Sequence, residues 1–176
     1  MIRPVPYVDL ECASGDLAEL SSAITALRGR ILNLHRVLAN APDALSDFMT
    51  MSRRVRDSST LPADLRELVV VMIATTYDND YERHHHEPLA MEAGVTAAQL
   101  DDITHWRASS NFSSAQRMVL RFAEEATLRH HVTDEALADV SGAFPPQQVV
   151  ELALTVGWYH LCHVLIDSLR IEREVP

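Results

Sequence analysis

The 176-residue chain is poor in cysteine: Cys12 and Cys162 are its two thiols, far apart and with no close-spaced partner. That excludes a disulfide scaffold and a Cys-x-x-Cys redox motif. With no secretory leader pattern either, a reducing, cytoplasmic setting is expected. Glycine is scarce too, five in all, and no segment alternates apolar and polar residues as a half-buried strand does, which excludes sheet-rich folds. The longest apolar runs, Leu68–Ala74 and Val149–Tyr159, are too short or too interrupted against the roughly 20 residues that cross a bilayer, so no membrane association is expected. Positive charge is in deficit, 15 basic against 25 acidic side chains, for a formal net charge of −10. Such a field repels a phosphate backbone, and no basic stripe overrides it, so nucleic acid is excluded as a partner.

What remains is the composition of a globular helical chain, 47% hydrophobic and 23% charged. We read it as all-α and as a single domain over residues 1–176. Residues 1–15 are expected as an extended arm, because Pro4 and Pro6 deny a clean helix start. Helices are predicted at Asp16–Leu27 (stopped by Gly29), Ile31–Leu38, Pro42 to about Arg56, Pro62 to about Tyr77 and Asn79–Ala93. Four more follow: a short one from Thr96 to Thr104, then Ser114–His130, Thr133–Ala143 and Gln147–Leu169. Pro42 and Pro62 suit the first helical position, where a missing N–H costs nothing. The helix after Pro62 is apolar on nearly every side from Val69 to Ala74, the pattern of a central helix.

At about 100° per residue, Asn79, Glu82 and His86 fall within roughly 60° of one another on a side that also carries Leu89, Ala90 and Ala93. A carboxylate and an imidazole enclosed together are suited to general acid/base work; they are also a common satisfied polar pair under a helix crossing. Glu67 shares a face with Val70, Val71 and Ala74 and needs a partner there, in the bland reading an arginine or a helix end. His84, His85 and His86 are consecutive and cannot face one point. His160 and His163, at i,i+3, lie near one side of the last helix, with His163 on the stripe of Leu152, Val156, Tyr159 and Ile166. By ligand type, His86, His163 and Glu82 with His85 or His160 would suit zinc or iron, but no spacing matches a strong metal motif, and we read the chain as metal-free. His35, His105, His130 and His131 are read as surface or helix-end residues, Cys162 as an inert core thiol, and Trp106, Trp158 and Tyr159 as packing aromatics, with Trp158 or Tyr159 available to line a pocket.

In this register Glu67, Asn79, Glu82 and His86 resemble the Glu-x11-Cys-x2-Cys-x3-His motif of the carboxymuconolactone decarboxylase/alkylhydroperoxidase-D-like family, with both cysteine positions replaced. Glu82 with His86 also looks like the Glu-x3-His pair of its decarboxylase branch. Further points of resemblance are the Leu-Pro-x-x-Leu-Arg-Glu approach at Leu61–Glu67, the Leu-Ala-x-x-Ala-Gly exit at Leu89–Gly94, and the late Leu-x-x-Gly-x-Tyr segment at Leu154, Gly157 and Tyr159. Together they span about residues 30–169.

The resemblance implies a helical bundle with two central antiparallel helices and subunits associated as dimers, trimers or hexamers. It implies a cofactor-independent acid/base lyase acting on a small cyclic or unsaturated organic acid, lactone or aromatic compound. His86, Glu82 and Glu67 are its candidate catalytic residues, Glu67 as a carboxylate kept protonated by burial, and Asn79, His85, Tyr159 and His163 would contact substrate. A histidine-rich metal enzyme and a non-catalytic ligand-binding or scaffold protein are the alternatives. A dithiol peroxidase is rejected, because Asn79 and Glu82 can neither attack a peroxide nor close a disulfide.

Overall fold

A computed structural model describes residues 5–174 of the chain, which form two compact units, residues up to 57 with those from 164 onward, and residues 58–163. The first four residues of the expected arm lie outside the described ones. From Val5 to Ser14 the chain is non-helical, as Pro6 requires.

In the first unit this arm is tied down: Val8 N donates to Arg36 O at 3.1 Å and Asn40 Nδ2 to Pro6 O at 2.8 Å. Leu10, 1% exposed, enters a core with Ile24, Ala39 and Leu45. Helix α1 (Asp16–Arg28) ends at Gly29, whose φ of 73° is the left-handed conformation that glycine adopts without strain. Helices α2 (Asn33–Leu38) and α3 (Pro42–Arg56) follow, α3 with Pro42 at its first position as predicted. His35 is buried, not a surface residue: Leu34 and Val37 draw that turn inward, and His35 Nδ1 accepts from Leu32 N at 3.1 Å.

In the second unit α4 (Ala63–Thr76) is the central helix, buried from Glu67 through Ala74 and packed against α5 (Asp80–Glu92) and α7 (Ser114–Arg129). Pro62 is its N-cap, one place earlier than predicted. The α4–α5 turn is tight because Asp78 takes a positive φ of 51° and Asn79 N donates back to Ala74 O at 2.8 Å. Beyond α5 lie α6 (Ala97–Asp101), a 3-10 turn (Ile103–His105), α7, α8 (Asp134–Ala143) and α9 (Pro146–Ser168). Capping boxes at Thr96/Gln99 and Ser113/Gln116 start α6 and α7. The 23 residues of α9 are long and apolar enough to cross a membrane by length and composition, although no unbroken apolar run within it reaches that length. About two-fifths of an apolar 18-residue stretch of it is buried inside the fold, and Leu152, Val156, Tyr159 and Cys162 are among the buried side chains of α9.

Two carboxylates, Glu125 buried and Glu151 half-buried, lock these helices. Glu151 Oε2 on α9 accepts from Ser59 Oγ, Thr60 N, Thr60 Oγ1 and Leu61 N, which pins the entry to α4. Glu125 Oε2 on α7 accepts from Thr133 N and Oγ1 at the start of α8, and Oε1 pairs with Arg121 at 3.0 Å. Burial raises the pKa of each, but these donors outweigh it and hold both at about 2, against an ordinary 4.5. A carboxylate depressed in the folded state contributes stability that is complete above the unfolded value and is lost as the pH falls through the folded one. The thermal midpoint is therefore expected to fall between pH 4.5 and 2, and the Glu125→Gln variant should lose less of its stability across that interval than the native chain. Equal pH dependence in calorimetry of the two proteins would contradict this.

Candidate functional site

The N-terminal half of α5 faces α4, and three ionisable side chains meet there. Glu67 is 4%, Glu82 6% and His86 4% exposed. His86 Nδ1 lies 2.7 Å from Glu67 Oε2, and His86 Nε2 lies 3.4 Å from Glu82 Oε2, one helical turn back. The imidazole thus stands between two carboxylates, one on each helix.

Glu67 Oε1 accepts from Arg66 Nε at 3.3 Å, so both of its oxygens face nitrogen donors. Donors on both sides stabilise a charged carboxylate while burial opposes it. With Glu67 Oε2 as the acceptor, the Nδ1 proton of His86 points at it, which sets that tautomer. Nε2 is then the nitrogen that faces Glu82 Oε2 at 3.4 Å, so a proton between them has two atoms that can hold it. A proton able to sit on either of two facing atoms is what acid/base exchange requires.

The N-terminus of α5 is set by Asn79, whose Oδ1 accepts from Glu82 N at 3.1 Å. Its amide nitrogen is then the group facing His163 Nδ1, at 3.2 Å, so His163 accepts there. Tyr77 stacks on His163 with ring centroids 4.0 Å apart and planes 3° from parallel, and Tyr159 stands edge-on to His86 at 5.0 Å. Of the expected substrate contacts, Tyr159 borders His86 and Asn79 borders Glu82, while His163 stands one step further out against Asn79 and Tyr77. His85 edges against Tyr81 and His84, leaving α5 about 100° round from His86. Tyr77, at the C-cap of α4, escaped the sequence reading; its one signal was its place between the two central helices.

Arg117 is committed to the carbonyls of Trp106, Arg107, Ser109 and Phe112 and shapes that loop. Among the described residues no three His, Cys, Asp or Glu side chains are disposed to hold a metal ion. Cys162 is buried and Cys12 exposed.

Residues 42–125 match the model of the carboxymuconolactone decarboxylase family. No curated protein matches the chain in sequence. Among solved structures it is similar to the debrominase Bmp8, in a cysteine-to-alanine variant bound to 2,3,4-tribromopyrrole. The TM-score is 0.84 at 15% identity, over 99% of this chain and 94% of that one. It is also similar to an alkylhydroperoxidase AhpD core protein from Ralstonia eutropha JMP134 (0.81, 16%, 96% and 90%). A peroxidase-related protein from Silicibacter sp. TM1040 is comparable (0.79, 16%, 98% and 93%). At such identities the likeness fixes the all-helical AhpD-like fold. This chain carries Asn79 and Glu82 where the cysteine motif that it resembles has thiols.

Proposed function

We propose that the chain is a cofactor-independent acid/base lyase of the carboxymuconolactone decarboxylase type, acting on a small cyclic or unsaturated organic acid or lactone. The observation that carries this reading is the imidazole held between two buried carboxylates at 2.7 and 3.4 Å. In a β,γ-unsaturated acid the carbon–carboxylate bond breaks, carbon dioxide leaves, and the electron pair passes into the adjacent double bond. The remote carbon then takes the proton held between His86 Nε2 and Glu82, and solvent returns one to the pair. Glu67 keeps the imidazole in register throughout. The chain has no lysine among its basic residues, so an imine route to decarboxylation is not open to it. Because the three groups are enclosed, the proposal includes a movement of a covering side chain; the Tyr159 ring against His86 is the one we assign.

The test is direct: incubation of the purified protein with carboxymuconolactone, following loss of substrate and release of carbon dioxide. Enzyme-dependent release, unchanged after exhaustive treatment with a metal chelator, is the expected result. A panel of related lactones and unsaturated acids that all stay intact would overturn the proposal. Subunit association, which the family resemblance implies, belongs to the same proposal, and sedimentation at the mass of a single chain would remove that part.

A further inference from the structure

Gly157 sits in the interior of α9, where glycine costs about 0.5–1 kcal/mol relative to alanine. Yet a Cβ placed on it would meet no atom within 4 Å. Among the described residues nothing requires the missing side chain. What the glycine preserves is the space in front of it.

That space is a cleft of about 370 Å³ between α7 and α9, at the lower end of the volumes that hold small molecules and suited to a single ring. Phe122 and Val156 give it apolar walls, and its ionisable groups are the imidazoles of His130, His131 and His160; no arginine, lysine or carboxylate lines it. His160 has a fixed tautomer. Thr127 Oγ1 lies 2.7 Å from Ala123 O and 2.9 Å from His160 Nε2. The carbonyl can only accept, so it takes the single hydroxyl proton, and the hydroxyl oxygen accepts from Nε2–H. Nδ1 is therefore the ring's acceptor. Burial lowers the pKa of His160 from its ordinary 6.5, with His130 and His163 adding to the effect, and this keeps the ring neutral.

We propose that this cleft binds an uncharged, single-ring molecule carrying one ring hydroxyl, a phenol, whose O–H donates to His160 Nδ1 while the ring lies over Gly157 against Phe122 and Val156. An aromatic carboxylate would need a fixed cation, and the lining offers none. The proposal stands apart from the Glu67–His86–Glu82 site and does not rest on its chemistry.

Calorimetric titration of phenol into the full-length protein tests it, beside anisole, which keeps the ring and loses the donor, and benzoate, which brings a charge. Saturable one-site binding of phenol is expected, with anisole and benzoate each weaker by about tenfold or more. Gly157→Leu should weaken phenol binding by a similar factor without lowering the thermal midpoint, because the new side chain enters open space. No saturable phenol binding, anisole or benzoate binding as well as phenol, or undiminished binding in Gly157→Leu would each overturn the proposal. So would a Gly157→Leu protein that binds phenol normally but changes its sedimentation, which would assign the glycine to a subunit contact.

Discussion

His86→Gln is expected to lower turnover of carboxymuconolactone, or of whichever lactone the native chain accepts, by about 10²–10⁴-fold, the usual contribution of a positioned acid/base group. The substitution is chosen for what it keeps. Glutamine retains an amide N–H that can donate to Glu67, so the buried carboxylate is not left without a partner, an omission that costs about 1–3 kcal/mol or more. What it removes is the ring nitrogen Nε2, which faces Glu82 Oε2 at 3.4 Å and shares a proton with it in the proposed chemistry. Circular dichroism should show native helix content and calorimetry a midpoint near that of the native protein. Retained turnover in a folded His86→Gln protein would mean that the imidazole handles no proton in the reaction.

Glu82→Gln is expected to act almost as strongly, and in a particular way. The amide is nearly isosteric and keeps the backbone bond from Glu82 N to Asn79 Oδ1 at 3.1 Å, so the start of α5 is undisturbed. It cannot carry the mobile proton. A fall in kcat of about 10²–10³-fold with KM changed by less than about threefold is therefore expected, the signature of an interaction used in the transition state more than in binding. A rise in KM with kcat intact would instead make Glu82 a substrate-binding group.

The helices and their order could be read from the sequence because local chemistry marks their ends. Gly29 stops α1, Pro42 opens α3, and Thr96 and Ser113 cap α6 and α7. Burial of Glu67 followed from its place among Val70, Val71 and Ala74, and the convergence of Asn79, Glu82 and His86 followed from helical angle alone. Harder to read was anything decided between helices. Arg66 is adjacent to Glu67 in sequence and still turns back onto its oxygen, which gives the carboxylate donors on both sides. His35 reads as a surface residue until its short helix is seen to be buried with it. Tyr77 reaches the edge of the site only through its stacking on His163, a residue of α9 far away in sequence. Arg117 is held by four loop carbonyls that nothing in its local sequence announces. In each case the deciding contact joins residues whose nearness depends on packing, and periodicity does not encode it.

The state of the His86 ring is the point on which the proposed chemistry turns. Nitrogen NMR of the native protein with 15N-labelled histidine measures it directly, with Glu67→Gln as the comparison. The account predicts that Nδ1 of His86 carries a proton throughout the pH range in which the protein is folded, and that Glu67→Gln weakens or abolishes that preference while Nε2 alone exchanges with Glu82 in the native chain. A native ring with its proton on Nε2 and a bare Nδ1 would contradict it, since Glu67 would then not be orienting the group that moves the proton.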